Sequence, residues 1–353
     1  MQTYQSTDVY YMQRAIELAK KGRYTTRPNP CVGCVIVKNG QIIGEGYHYR
    51  AGEPHAEVFA LRHAKQAMGD DLTGATAYVT LEPCNHYGRT PPCADALILA
   101  KISRVVIAVA DPNPNASGGI AKLKKAGIEV ITGVCHTQAF VLNQGFFRVM
   151  AGGLPYVRAK TACSLDGKIA MATGESQWIT SEESRQDVQY LRAISGAIIT
   201  GSQTVLADYP QMTVRSQQLG VAVSDIPQPL LVVLDRRGHI DTKGTWYQSQ
   251  LAQRKILLIQ EPITLNQLLI TLRDEYAIYD IMIEAGAGIT TAFLQAKLID
   301  EWVVYQAPCL LGKTATDMSN FDFSTIAQQL NLNLVSHETI GKDLKLIFNL
   351  ELL

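Results

Sequence analysis

The sequence predicts two α/β domains in tandem. Three observations predict this: a chain of 353 residues, strand-like apolar runs alternating with helix-like periodic ones, and an interruption bearing glycine and proline near the middle. A single core normally stops growing at about 250–300 residues, so this length favours two domains over one. Apolar residues make up 47% and charged residues 18%, a globular composition with no stretch long enough to span a membrane.

In the first half, residues 32–37 and 41–45 read as strands joined at Asn39-Gly40, a pair that accepts the positive φ of a tight hairpin. A helix follows, with Pro54 in its first turn and Ala56, Phe59, Ala60, His63, Ala64 and Ala67 spaced as one buried stripe. Residues 77–81 read as a buried strand, 93–100 as a helix and 104–110 as another buried strand, and the run 128–134 closes the series. Ala151-Gly152-Gly153-Leu154-Pro155 then breaks the helical pattern of residues 140–150, so it is read as the linker between domains 1–152 and 153–353. After it the pattern restarts. Strands at 156–164, 197–200, 230–234, 255–260, 281–284 and 302–307 interleave with helices such as 184–194 and 265–276, and 344–352 reads as a final strand. Residues 216–229 read as loop, and there is no internal repeat.

The first fifteen residues lack the basic region and apolar run of an export signal, which predicts a cytoplasmic protein. Seven cysteines, an odd and unevenly spaced set, then read as reduced thiols or metal ligands, not as a disulfide framework. Lysine plus arginine equals aspartate plus glutamate at 32 each, so the chain lacks the electrostatic footprint of a polynucleotide binder. The expected partners are a small molecule and further copies of the chain, as a dimer or tetramer, with no nucleic acid and no membrane.

His55-Ala56-Glu57 lies at the start of the predicted helix, and Cys84 and Cys93 flank the loop after the strand 77–81. One imidazole and two thiolates leave the fourth position of a tetrahedral zinc free for water, as a catalytic site requires. Zinc lowers the pKa of that water, and a nearby carboxylate must carry its proton to the substrate. Glu57 is the candidate. Taken alone, His-x-Glu is ordinarily a helix start with a favourable acid, and two cysteines nine apart mean little. Together they match the zinc deaminase pattern, except that the second pair is Cys-x8-Cys where Cys-x-x-Cys is usual. Cys31 and Cys34 point to opposite faces of a strand and read as packing residues, and Cys135, Cys163 and Cys309 read as inert core thiols.

Pro83 to Cys93, with Pro28-Asn29-Pro30-Cys31-Val32-Gly33, Gly46-Tyr47-His48 and Gly52 to Glu57, resembles the bifunctional riboflavin biosynthesis deaminase-reductases. The resemblance implies a cytidine-deaminase-like α/β/α domain with one Zn2+ on His55, Cys84 and Cys93 and with Glu57 as general acid-base. It also implies that Asn29, His48, His86 and Arg89 hold a diaminopyrimidine and its ribose phosphate.

Lys160 to Ala170, Ser176 to Thr180, Thr204 to Asp208 and Glu284-Ala285-Gly286 resemble the reductase half of the same family. A dihydrofolate-reductase-like α/β domain follows from that likeness. NADPH is expected against Ala162, Trp178, Thr204, Asp208 and the turn Gly286, Ala287, Gly288, Ile289 and Thr290. The substrate is expected against Lys160, Ser176, Arg192, Met212, Arg215 and Glu284. By themselves the glycines at 286 and 288 open a helix after a strand, where amides can cradle a phosphate, but Thr291 replaces the third glycine of the dinucleotide fingerprint. Arg236 and Arg237, after a strand, could pair with the 2′-phosphate of NADPH. The implied activity is deamination of a phosphoribosylaminopyrimidine followed by reduction of its ribose to ribityl. The two readings weighed against it are a transfer RNA deaminase, which the neutral charge disfavours, and a structural zinc module joined to a dinucleotide sensor.

Overall fold

The chain begins with a helix that its sequence announces poorly. In the computed structural model, which describes residues 5–87 and 91–350, Ser6–Lys21 forms α1. Gln5 and Asp8 close a capping box at its start, and Met12, Ala15, Ile16, Leu18 and Ala19 make a sparse buried stripe. Two units divide the chain, Met1–Gly153 and Leu154–Leu353.

In the first unit α1 is followed by β1 (Gly33–Lys38), β2 (Gln41–Tyr47), α2 (Ala56–Met68), β3 (Thr76–Leu81), α3 (Cys93–Leu99) and β4 (Arg104–Val109). Then come α4 (Gly119–Lys125), β5 (Glu129–Thr132), α5 (His136–Val141) and α6 (Gln144–Met150). The sheet order is β2-β1-β3-β4-β5, antiparallel around β1 and parallel from β3 to β5. Alternation along the strands splits the core. Cys34, Ile36, Ala77, Val79, Val105 and Ile107 meet α2, α3 and α4 on one face. On the other face α1 packs against β1 and β3, with Tyr78 donating to Asp8 at 3.0 Å. The result is the expected α/β/α sandwich.

The hairpin turns at Asn39 and Gly40, both at positive φ (52° and 74°), as their sequence predicts. Two glycines of β2 set the height of α2. A Cβ on Gly44 would lie 2.2 Å from the Ala60 carbonyl oxygen, and one on Gly46 would lie 2.4 Å from that of Ala56. Two details differ from expectation. His55 caps α2, so Pro54 precedes the helix and is not in its first turn. The helix expected over residues 140–150 is two helices broken at Asn143, whose amide accepts from Cys31 N at 2.8 Å and donates to Cys31 O at 2.9 Å. That strand-like pairing diverts Asn143 from the helical path.

The second unit contains β6 (Tyr156–Ser164), β7 (Lys168–Ala170), α7 (Glu182–Ala193), β8 (Ala197–Gly201), α8 (Ser202–Asp208) and β9 (Leu230–Leu234). It continues with α9 (Thr245–Leu251), β10 (Ile256–Ile259), α10 (Leu265–Asp274), β11 (Asp280–Ile283) and α11 (Ala287–Gln295). It ends with β12 (Glu301–Ala307), β13 (Thr316–Asp317), β14 (Leu332–Ile340) and β15 (Asp343–Leu350). Its eight-stranded sheet runs β10-β9-β8-β11-β6-β12-β15-β14, parallel through β12 and closed by an antiparallel hairpin. Helices α10 and α11 cover one face, and α7 and α8 cover the other. Sequence reasoning missed β14 because nearly all of its residues are exposed, which removes the apolar alternation that marks a strand. Residues 216–229 are loop with two short 3-10 turns.

None of the seven cysteines is joined in a disulfide. Cys31, Cys34 and Cys163 are buried, whereas Cys135 and Cys309 are only half-buried and are not core thiols. No helix among the described residues is long and apolar enough to cross a membrane.

Candidate active sites

Three elements deliver the metal-ligand candidates. The backbone of His55 starts α2 by accepting from Val58 N and Phe59 N, which leaves its imidazole free to face away from the helix. Cys84 follows β3, and its sulfur accepts from the backbone N–H of Cys93, the first residue of α3, at 3.4 Å. Nδ1 of His55 lies 3.6 Å from the Cys84 sulfur and 3.3 Å from that of Cys93. On a tetrahedral zinc, with sulfur at about 2.3 Å and nitrogen at about 2.0–2.1 Å, ligand atoms stand about 3.5–3.8 Å apart, so the three residues fit the ion.

Hydrogen bonding from Cys93 is the largest influence on Cys84 and, with His55, brings its thiol down to about 4 against the opposing effect of burial. His55 is pushed up to about 9, chiefly by its hydrogen bond with Cys84, so a metal taking this site displaces a proton. Glu57 is 3% exposed, and burial raises its carboxyl above the usual range. A carboxyl poised in this way beside three metal ligands is suited to carrying a proton in both directions.

The site opens into a cavity of about 230 Å³ whose lining includes Asn29, His48, Glu57, His86, Asp111 and Asn113. His48 Nδ1 lies 3.1 Å from the Pro54 carbonyl, which can only accept, so Nδ1 carries the proton. Nε2 then accepts from Asn29 Nδ2 at 3.4 Å, and burial lowers the pKa of the ring, favouring this neutral form. Arg89 lies outside the described residues.

Sequence reasoning missed Glu82, Asp111 and Asn113. Glu82 is 6% exposed and accepts from three backbone N–H groups, those of Asp111, Gly118 and Ile120, at 3.1, 3.0 and 2.9 Å. It therefore fixes the loop that places Asp111 and Asn113 in the cavity wall. The available signal was an acid at the end of an apolar strand, two residues before a metal ligand.

In the second unit the candidates gather where the parallel strands end, the usual ligand crevice of such sheets. Glu284, just beyond β11, accepts a fork from Arg192 of α7, Nε at 2.9 Å and Nη2 at 2.8 Å. Lys160 of β6 stands 3.5 Å from the same carboxylate. Burial alone would raise the Glu284 carboxyl, but Arg192 and then Lys160 hold it down to about 2. Arg192 and Arg215 both donate to the Thr213 carbonyl at 3.3 Å.

Ser176 donates to Asp208 at 2.8 Å, which joins a substrate candidate to a cofactor candidate. Gly286 caps α11 in extended conformation with no side-chain cap, so the first amides of that helix are open to an anion. A Cβ on Gly286 would meet only the Thr204 hydroxyl, at 3.9 Å. This open cradle fits a phosphate-bearing dinucleotide.

Not every candidate is drawn in. Thr290 is buried within α11, and Gly288 faces the Asn320 side chain. Ile289 packs over Gly201, and Ala162 is half-buried in β6 opposite Tyr305. Met212 is 2% exposed and belongs to the apolar cluster under α7. Trp178 is 67% exposed, with Arg185 stacked 4.5 Å from its ring. Arg236 and Arg237 are exposed beyond β9, in a turn held by buried Asp235, which accepts from His239 N and Ile240 N.

Comparison with known proteins places both halves. Residues 5–109 match the cytidine and deoxycytidylate deaminase zinc-binding region, and residues 155–346 match the RibD C-terminal domain. Riboflavin biosynthesis protein RibD of Escherichia coli (strain K12) is 48% identical over 87% of this chain and 89% of its own. The structure of Acinetobacter baumannii RibD, form 1, superposes with a TM-score of 0.90 at 51% identity, covering 98% of this chain and 99% of that one. A Thermotoga maritima diaminohydroxyphosphoribosylaminopyrimidine deaminase/5-amino-6-(5-phosphoribosylamino)uracil reductase gives a TM-score of 0.89 at 33% identity, covering 98% of this chain and 99% of that one. With a zinc-type deaminase region and a reductase region matched in order, and relatives aligned over most of its length, the chain belongs to the RibD family of riboflavin biosynthesis proteins.

Proposed function

We propose that this chain catalyses two successive reactions of riboflavin synthesis. The first is hydrolytic deamination of 2,5-diamino-6-(5-phosphoribosylamino)pyrimidin-4(3H)-one. The second is NADPH-dependent reduction of the resulting 5-amino-6-(5-phosphoribosylamino)uracil, whose ribosyl side chain becomes ribityl. The observation that carries the reading is the presence, on one chain, of the His55-Cys84-Cys93 cluster over buried Glu57 and of the Lys160-Glu284-Arg192 cluster near the open start of α11.

Residues 1–152 carry the deaminase. Held by His55, Cys84 and Cys93, zinc supplies the Lewis acidity that makes water nucleophilic near neutral pH. Glu57 takes a proton from the attacking water and gives it to the departing amino group, which leaves as ammonia. His48 and Asn29, joined by their hydrogen bond, present polar edges to the pyrimidine, with His86 on the same cavity. Arg89 holds the substrate phosphate in this reading.

Residues 153–353 carry the reductase. Ala162, Trp178, Thr204, Asp208 and the turn at residues 286–290 would hold NADPH, which would supply the hydride that reduces the opened ribose. At about 2 the Glu284 carboxyl is ionised at neutral pH, so it accepts hydrogen bonds from sugar hydroxyls and cannot give a proton. Lys160, beside that carboxylate, is then the proposed proton source, and Asp208, which accepts from Ser176, orients the sugar hydroxyls. Arg192 and Arg215 place positive charge for the phosphorylated substrate, and Met212 lies on the segment between α8 and Arg215. Arg236 meets the 2′-phosphate.

Assembly as a dimer or tetramer belongs to the same proposal, supported by Leu334 and Val335, which the edge strand β14 exposes. So does a cytoplasmic location, supported by seven cysteines of which none is in a disulfide. The test pairs ammonia release with NADPH consumption when the full chain is given the phosphorylated diaminopyrimidine. Both signals are expected, and absence of both overturns the reading.

A further inference from the structure

Residues 210–215 run between α8 and the loop beyond it in neither helix nor strand, and Met212 sits at φ 48°, a left-handed conformation costly to a side chain with a Cβ. Buried backbone polar groups on such a path need partners, and here side chains supply them. The Pro210 carbonyl accepts from Trp246 Nε1 at 2.9 Å. The carbonyls of Gln211 and Met212 accept from the two terminal nitrogens of Arg254, at 2.5 and 2.6 Å. Gln228 grips both sides of Val214, accepting from its N–H at 2.8 Å and donating to its carbonyl at 2.7 Å. Gln189 accepts from Arg215 N at 2.9 Å.

Arg254 is the unusual member. It is 7% exposed and, among the described residues, forms no ion pair with a carboxylate, and beyond the two carbonyls its terminal nitrogens reach the Gln250 side chain, at 2.6 Å. Its Nε has no hydrogen-bond partner among the described residues. Burying a guanidinium without a carboxylate in direct contact is costly, and burial, helped by the nearby Arg192 and only partly offset by Glu284, brings its pKa down to about 10. Two adjacent carbonyls on one planar fork offset that cost, and no shorter or neutral side chain could reach both. The segment it holds leads directly to Thr213, whose carbonyl joins Arg215 to the Arg192 that forks Glu284.

We propose that Arg254 is a positioning residue of the reductase site, holding residues 211–212 so that Arg215 and the Arg192-Glu284 pair keep the spacing that binds the phosphorylated substrate. The inference rests on the reductase reading above. Arg254 acts through the backbone, so its loss weakens substrate binding more than it slows hydride transfer.

The test uses the full chain and measures NADPH oxidation with 5-amino-6-(5-phosphoribosylamino)uracil, with ammonia release from the diaminopyrimidine as an internal control. Arg254→Met should raise KM for the aminouracil about tenfold, lower kcat less than about threefold and change KM for NADPH less than about twofold. Arg254→Lys, which keeps the charge but not the fork, should recover part of the loss. Gln228→Ala should shift the same KM in the same direction, and it decides the matter if Arg254→Met is insoluble. Ammonia release should be unchanged in all three. The inference is overturned by an unchanged aminouracil KM, by a fall in kcat alone, by an equal rise in the NADPH KM, or by ammonia release falling in step. Failure of the unmodified chain to oxidise NADPH with this substrate would instead overturn the functional reading beneath it.

Discussion

The two sites are built on opposite principles. In the first unit the proposed reacting groups lie between His55 and Cys93, on two helix starts and one strand end, and three side chains of fixed type must converge to within bonding distance of one ion. In the second unit the candidate groups come from Lys160 to Glu284, and what joins them is hydrogen bonding, part of it to backbone. Metal chemistry tolerates few residue types and few spacings, so it leaves a short signature. A site that mainly orients a cofactor and a sugar can be assembled from many positions, and each taken singly resembles an ordinary surface or core residue.

Disrupting the metal cluster should give the largest effect. Cys84→Ser should lose both zinc and ammonia release, because a hydroxyl is a much poorer ligand than a thiolate, while NADPH oxidation with the aminouracil persists. Glu57→Gln should lower ammonia release by about 10²–10⁴-fold while zinc, measured by mass spectrometry, stays near one per chain. Zinc lost from the Gln variant would make Glu57 a ligand and erase the distinction drawn above.

The dispersed site is better probed by pH. The Glu284 carboxyl lies at about 2 in the folded protein against an ordinary 4.5, so its contribution to stability is complete above 4.5 and is lost as pH falls toward 2. The Tm of the second unit's transition should therefore fall across that window, and Glu284→Gln should flatten the fall. An unchanged slope would mean that Arg192 and Lys160 do not hold this carboxylate.

The smallest effect concerns the cofactor's far end. Arg236→Ala should erode the preference for NADPH over NADH by about three- to tenfold in kcat/KM and leave kcat with saturating NADPH nearly unchanged, because the 2′-phosphate is remote from the hydride. Equal use of both cofactors by the unmodified chain would remove Arg236 from the site.

This contrast also explains what could be read from the sequence. The strands from β1 to β6, from β8 to β12 and β15 were legible, the buried parallel ones because they are unbroken apolar runs and β2 because the Asn39-Gly40 turn marks its hairpin. His55, Glu57, Cys84 and Cys93 were legible as a pattern. Helix α1 was not, since its buried stripe is sparse and includes Asp8, whose carboxylate Arg104 binds at 2.8 and 2.9 Å from far along the chain. Glu82 and Arg254 were illegible for the same reason. Each serves backbone groups distant in sequence, and no local rule marks an acid or an arginine that will be buried against amides it has yet to meet.

Gly44 and Gly46 place a further constraint on the first site. Because α2 rests directly on the β2 backbone at these two positions, any side chain there must lift the helix whose first turn carries His55 and Glu57. The ion's coordination distances tolerate only about ±0.2 Å. Metal affinity is thus a property of the whole helix-sheet spacing, and a single added methyl group on the far strand would act as a chelation defect without touching any ligand.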